Sequence, residues 1–150
     1  ILIGDNGESD PDIYAQASTR LRKAGVRTLV YIRQAYPPSQ TPQWTGPRDD
    51  QIEFVTPVEV ALHLIGEGML DDAQVQSFAD KWSQQIAREA SWAVGQNHPT
   101  SDISRFLPEW MGCDGFEWPT PTGSQWPAIE TIVGSLAGRC TNMTRAKRKH

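Results

Sequence analysis

The stretch ILIGDNGESDPDIYAQASTRLRKAGVRTLVYIR, residues 1–33, determines the fold of the first part of this chain. Residues 1–4 are apolar and end in glycine, as at the end of a strand. Asp10 and Pro11 then offer a helix N-cap followed by proline at the first helical position. The apolar run at residues 28–32 has no polar alternation, which is typical of a strand buried on both faces of a parallel sheet. The stretch therefore predicts a β-α-β unit of a doubly wound α/β domain.

Four apolar residues at helical spacing predict which face of this first helix is buried. They are Ile13, Tyr14, Ala17 and Leu21. Periodicity and capping signals also predict a short strand and three helices later in the chain. The strand is expected at residues 52–55, and the helices at about 57–65, 72–95 and 127–137. The sequence thus predicts an α/β part followed by a mostly helical extension.

The composition fits one domain of ordinary size with a mildly acidic surface. The 150 residues include 18 acidic and 14 basic side chains, a net charge of −4, which argues against a nucleic-acid surface. No apolar run approaches the ~20 residues that a transmembrane helix needs. The two cysteines, Cys113 and Cys140, are too few for a disulfide framework, so we expect two reduced thiols in a cytoplasmic protein. The chain starts inside an apolar run, so we interpret it as the continuation of a longer protein.

Four acidic side chains crowd the loop between the first strand and the first helix. They are Asp5, Glu8, Asp10 and Asp12. Ligands of open α/β sheets bind beyond the carboxyl ends of the strands, and Mg²⁺ prefers one or two carboxylates together with water and a substrate phosphate. Asp5 and Asp10 therefore predict a Mg²⁺ site, with Asn6 orienting a water or a phosphate oxygen. In the competing interpretation Asp5 is a turn residue and Asp10 a helix cap, with the other two acids in the first helical turn.

Two glycines in this loop, Gly4 and Gly7, are expected to let the backbone turn tightly. An EF-hand loop starting at Asp5 is excluded, because its sixth and twelfth positions hold Asp10 and Gln16 rather than glycine and glutamate. A phosphate-binding P-loop is excluded as well, because the stretch contains no lysine.

The pattern GDNGESDPDIY at residues 4–14, followed by VYIR at residues 30–33, resembles a known family. It is similar to the fourth motif of haloacid-dehalogenase-superfamily phosphatases, and more narrowly to the catalytic domain of the actin-patch-associated phosphatidate phosphatases. Asn6 stands where that family usually has serine, and Asp12 where it usually has glutamate. A fainter likeness continues through FVTPVEVALHL at residues 54–64.

The resemblance implies a Rossmann-like domain that hydrolyses phosphate monoesters with Mg²⁺ through an aspartyl-phosphate. Carried over residue by residue, Asp5 would bind Mg²⁺ directly, and Asp10 directly or through water. The family's nucleophile motif, DxDxT, is absent from these 150 residues, so no catalytic residue is assigned in this chain. We therefore expect the chain alone to be inactive, and the missing N-terminal part of the same protein or a partner chain to complete the site.

The expected organisation has three parts. Residues 1–69 would form the C-terminal portion of the phosphatase domain, residues 70–140 a helical and irregular extension, and residues 141–150 a basic tail. The expected ligand is a phosphorylated small molecule or a lipid such as phosphatidate. The tryptophan-rich residues 106–127 and the basic tail leave peripheral membrane contact open as an alternative for a cytoplasmic protein. A non-catalytic α/β fragment or interaction module, with the acidic loop as turn and cap, is the alternative function from another class.

Overall fold

The computed structural model describes residues 1–7, 9–37, 47–95, 107, 111, 115–118 and 127–147. The chain divides into two compact units, Ile1–Pro57 and Val58–His150. The domain bounds that the family resemblance implies stay a prediction. Among the described residues, none of the helices combines the length and the apolar character that a membrane crossing requires.

The first unit contains a three-stranded parallel sheet and one helix. Its elements are β1 (Leu2–Asp5), α1 (Asp10–Lys23), β2 (Val30–Arg33) and β3 (Gln51–Phe54). The strand order is β1-β2-β3, and both neighbouring pairs are parallel. The predicted α/β class is therefore confirmed.

The central strand β2 forms the core of the first unit. Its side chains Val30, Tyr31 and Ile32 are each 0% exposed, as predicted for a strand covered on both faces. The Tyr31 ring meets the Phe54 ring of β3 edge-on, with 6.4 Å between centroids. Each such apolar side chain contributes roughly 1.5–3 kcal/mol when it is fully buried. This strand thus holds the sheet in place and fixes where the loops at its carboxyl end begin.

The predicted buried face of α1 is wrong at two of its four positions. Ile13 is 54% exposed and Leu21 is 36% exposed, whereas the buried residues of the helix are Pro11 and Ser18. A polar contact accounts for part of this orientation, because the Gln51 Nε2 donates a 2.6 Å hydrogen bond to the carbonyl oxygen of Pro11. The helix therefore lies against the sheet through small and polar residues that apolar periodicity does not identify.

The second unit contains the helices α2 (Pro57–Gly66), α3 (Asp72–Gly95) and α4 (Pro127–Lys147). Its buried core cluster consists of Val58, Val75, Ala79, Ile86, Ile129, Ile132 and Leu136. A reciprocal cap starts α3: the Gln74 N–H donates to the Asp71 Oδ1 at 2.8 Å, and the Asp71 N–H donates to the Gln74 Oε1 at 2.9 Å. The last helix runs ten residues past the predicted end at 137. Basic side chains near its end, Arg145 and Lys147, are favourable at a helix C-terminus.

The expectation of reduced cysteines is wrong for Cys140, which is disulfide-bonded. The residue is buried on α4, with 5% of its surface exposed. The other cysteine of the sequence, Cys113, lies outside the described residues. Disulfides persist mainly in oxidising compartments, and the cytoplasmic location stays a prediction. Most of residues 106–127 and the end of the basic tail also lie outside the described residues, so membrane contact stays untested.

Candidate functional site

Asp5 is the last residue of β1 and lies at the carboxyl end of the sheet. Its neighbour in register on β2 is Arg33. The Asp5 Oδ1 accepts a hydrogen bond of 2.7 Å from the Gly7 N–H, which is the turn role of the competing interpretation. Its other oxygen, Oδ2, has no hydrogen-bond or ion-pair partner among the described residues. Asp5 thus fixes the loop with one carboxylate oxygen and has the other available for a ligand.

Asp10 is the first residue of α1, and its carboxylate reaches back to the end of β1. The Asp10 Oδ2 accepts a hydrogen bond of 3.1 Å from the backbone N–H of Asp5. The prediction that Asp10 caps the helix is wrong, because Ser9 is the N-cap and makes no side-chain cap bond. The carboxylate that would cap α1 is instead engaged by the strand end. This contact holds the Asp10 carboxylate at the end of the strand that carries Asp5, and within the described part of the chain the Asp10 Oδ1 has no partner.

Gly4 is required because two side chains of α1 pack directly against its backbone. A Cβ added at Gly4 would overlap the Asp10 carboxylate and would lie 2.5 Å from a ring carbon of Tyr14. The Tyr14 hydroxyl donates a 3.1 Å hydrogen bond to the carbonyl oxygen of Ile3, which holds the ring in this place. The absence of a side chain at Gly4 therefore allows Asp10 to reach the N–H of Asp5.

Gly7 has a similar steric role in the same loop. A Cβ added there would overlap the ring of Tyr36 and would lie 3.0 Å from the Asp5 Oδ1. Neither Gly4 nor Gly7 needs a left-handed backbone, since positive φ among the described glycines is confined to two other positions, Gly25 and Gly68. The two loop glycines thus serve close approach.

Asn6 is a buried bridge between the loops that follow β1 and β2. The side chain is 1% exposed. Its Oδ1 accepts hydrogen bonds from the N–H groups of Ala35 and Tyr36, both at 2.9 Å. Its Nδ2 donates to the Gln34 Oε1 at 3.0 Å and to the Tyr36 carbonyl oxygen at 2.8 Å. An amide side chain donates two hydrogen bonds and accepts two, so these four contacts use its full capacity. A role for Asn6 in substrate binding stays a prediction and would require one of these bonds to break.

The remaining two acids of the loop are Glu8 and Asp12. Asp12 is exposed on α1 and forms an ion pair with Arg48, whose Nε donates to the Asp12 Oδ1 at 3.0 Å. Glu8 lies outside the described residues. The described contacts therefore link the Asp10 carboxylate to the backbone of Asp5, and Asp12 to Arg48.

Sequence reasoning missed two buried donors at the end of β2. The Arg33 Nε and the Gln34 Nε2 are buried without a hydrogen-bond partner, and no other side-chain nitrogen or oxygen in the described ranges shares this condition. Two polar residues directly after the apolar residues Val30, Tyr31 and Ile32 are a sequence signal that could have identified them. Both lie at the carboxyl end of the sheet, as Asp5 does.

The carboxylate oxygens of Asp5 and Asp10 are ligands suited to a particular kind of cation. Two carboxylates, each with one oxygen uncommitted, match the protein ligands that Mg²⁺ takes beside water and a substrate phosphate. The described residues contain no cluster of three or more His, Cys, Asp or Glu side chains suited to a metal. Asp5 and Asp10 are the residues of this loop that could hold such a cation.

Comparisons with models of known protein families, with curated proteins and with solved structures find no match for this chain. The residues themselves therefore provide the grounds for a functional proposal.

Proposed function

We propose that this chain supplies the metal-binding motif of a Mg²⁺-dependent phosphatase that hydrolyses phosphate monoesters through an aspartyl-phosphate. The observation that carries the proposal is the hydrogen bond from the Asp5 N–H to the Asp10 Oδ2, which holds the Asp10 carboxylate at the end of the parallel strand that carries Asp5. Ligands of open α/β sheets bind at this edge. Phosphatidate is a candidate substrate because of the sequence resemblance alone.

The role of the chain's own residues in this proposal is to hold and orient a cation. Asp5 and Asp10 would hold Mg²⁺, with Gly4 and Gly7 keeping the space around them open. A bound Mg²⁺ would neutralise negative charge on the phosphoryl group that is transferred. Asn6 would act as a positioning residue, because its four hydrogen bonds keep the acidic loop against the end of β2.

The nucleophile in this proposal comes from outside the 150 residues, because the sequence contains no DxDxT motif. The sheet offers a place for a strand that carries it. β1 is an edge strand, and its outer side pairs with no other described strand. Ile3 of β1 and the preceding Ile1 are 55% and 59% exposed, so a further strand would also cover apolar surface. The chain alone is expected to be inactive.

Titration of the chain with Mg²⁺ tests the metal site, with the backbone amide signals of the loop followed by NMR. Mn²⁺ as a paramagnetic substitute should broaden the signals of residues 4–7 first. Asp5→Asn and Asp10→Asn should each weaken Mg²⁺ binding about tenfold or more, because a ligand charge is lost. Asp12→Asn is the matched control, because it removes an acid from the same helix turn at a position paired with Arg48.

Equal effects of all three substitutions would show that the loop attracts cations only through its net charge. If Mg²⁺ fails to bind at concentrations at which folded chain is present, the metal assignment is wrong. The acidic loop would then be a turn and a helix end, as in the alternative of a non-catalytic interaction module.

A further inference from the structure

Two buried donors without partners stand on consecutive residues at the end of β2. They are the Arg33 Nε and the Gln34 Nε2, and among the described residues no other buried side-chain nitrogen or oxygen lacks a partner. Gln34 is 6% exposed. Its backbone N–H already bonds the Phe54 carbonyl oxygen at 2.8 Å, so the residue is fixed between β1 and β3. Both unpaired donors lie at one strand end, so a common location has to account for them.

The orientation of the Gln34 amide follows from its neighbours. The Asn6 Oδ1 faces two backbone N–H groups, those of Ala35 and Tyr36, so the Asn6 Nδ2 must face the other way. That Nδ2 donates to the Gln34 side chain at 3.0 Å, which requires an acceptor there. The Gln34 oxygen therefore faces Asn6, and its NH₂ group is directed elsewhere. Exchanging the oxygen and nitrogen of Gln34 would place two donors against each other.

An unsatisfied buried donor is costly. Leaving such a group unpaired costs roughly 1–3 kcal/mol, and folded proteins retain few of them. The chain keeps two here, one residue from the acidic loop on the neighbouring strand. Arg33 is in register with Asp5, so these two side chains leave the sheet on one face, whereas Gln34 contacts Asn6 and leaves on the opposite face. An unpaired donor at the carboxyl end of a parallel strand fits a ligand that is rich in acceptor oxygens.

We propose that Gln34 donates a hydrogen bond through its Nε2 to an anionic oxygen of a bound phosphate group. A phosphate has enough oxygens to accept from a donor and to bind a cation at once. The choice of phosphate rests on the proposed function, whereas the need for an acceptor at Gln34 rests on the amide geometry alone. Gln34 would thus select ligands that place an oxyanion beyond the end of β2.

Titration with inorganic phosphate tests this proposal, in the presence and absence of Mg²⁺, with the Gln34 side-chain amide followed by ¹⁵N NMR. In the unmodified chain these amide signals should shift on addition of phosphate. Gln34→Glu retains an acceptor oxygen for Asn6 and replaces the NH₂ group by an oxygen. It should weaken phosphate binding by about tenfold or more. Gln16→Glu is the matched control, since it makes the same change of charge at an exposed position on α1.

A second experiment distinguishes free phosphate from a lipid headgroup. Sedimentation with phosphatidylcholine vesicles, with and without phosphatidate, should show Gln34-dependent binding only if the headgroup reaches the site. Binding of inorganic phosphate without such vesicle binding would assign the site to soluble phosphate esters.

Several results would overturn the proposal. These are the absence of phosphate binding, unmoved Gln34 signals in the unmodified chain, or equal affinities of the Gln34→Glu and Gln16→Glu variants. The first two need no variant and are therefore independent of any folding defect. Gln34-dependent phosphate binding without Mg²⁺ binding would contradict the proposed function but leave the role of Gln34 standing.

Discussion

Replacement of Asn6 by alanine should destabilise the first unit, because it removes the bridge between two loops. The native side chain makes four hydrogen bonds. One of its partners, the N–H of Ala35, keeps a second bond of 3.0 Å to the Arg33 carbonyl oxygen. Three bonds are therefore lost without replacement. At a net value of roughly 0.5–1.5 kcal/mol each, Asn6→Ala should lower the free energy of unfolding by about 1.5–4.5 kcal/mol.

Urea unfolding followed through the backbone amide signals of β2 measures this loss, because these residues report on the first unit. Gln16→Ala is the control, since an exposed residue on α1 should change the stability by no more than about 0.5 kcal/mol. A loss below about 1 kcal/mol relative to this control would refute the view that Asn6 holds the acidic loop to the end of β2.

Two further predictions concern packing and covalent bonding. Gly4→Ala should destabilise the first unit by about 1–3 kcal/mol and weaken Mg²⁺ binding, because the added methyl group would displace the Asp10 carboxylate. By contrast, Gly134 lies inside α4, where an added Cβ meets no atom within 4 Å. Gly134→Ala should therefore leave the stability unchanged or raise it by about 0.5–1 kcal/mol. Equal urea midpoints for the two variants would contradict the steric explanation. Reduction with dithiothreitol should lower the melting temperature measured by calorimetry, because loss of the disulfide at Cys140 typically costs about 2–4 kcal/mol. A Cys140→Ala variant should not respond to the reductant. Identical melting with and without reductant would show that the bond adds no stability.

The strands were predictable because their signals are local. An apolar run such as that of β2 is buried wherever a parallel sheet is covered on both faces. The position of Asp5 at the strand end is equally visible in the sequence, because Asp5 comes directly after the apolar residues 1–4. The orientation of α1 was not predictable in this way. It depends on Gly4 and on a contact of Gln51 with the Pro11 carbonyl oxygen, and neither contributes to apolar periodicity.

The environment of the candidate site also depends on contacts between residues that are far apart in the sequence, so it was not predictable from local patterns. Asn6 has the residue type of a ligand-binding side chain, but its partners lie 28–30 residues further along the chain, so its burial becomes visible only in the folded state. The helix N-terminus was misjudged for a similar reason, because the N–H of Asp5 competes for the Asp10 carboxylate. The sequence does place Gln34 directly after the apolar residues of β2, but that its Nε2 is buried without a partner becomes visible only in the folded state.

The outer side of β1 affects the behaviour of this chain in solution. No other described strand pairs with it, and two exposed isoleucines, Ile1 and Ile3, lie along it. Such an edge can pair with another chain, and edges of this kind are a common origin of self-association. A preparation of this chain alone should therefore be monomeric at high dilution and should assemble as its concentration rises.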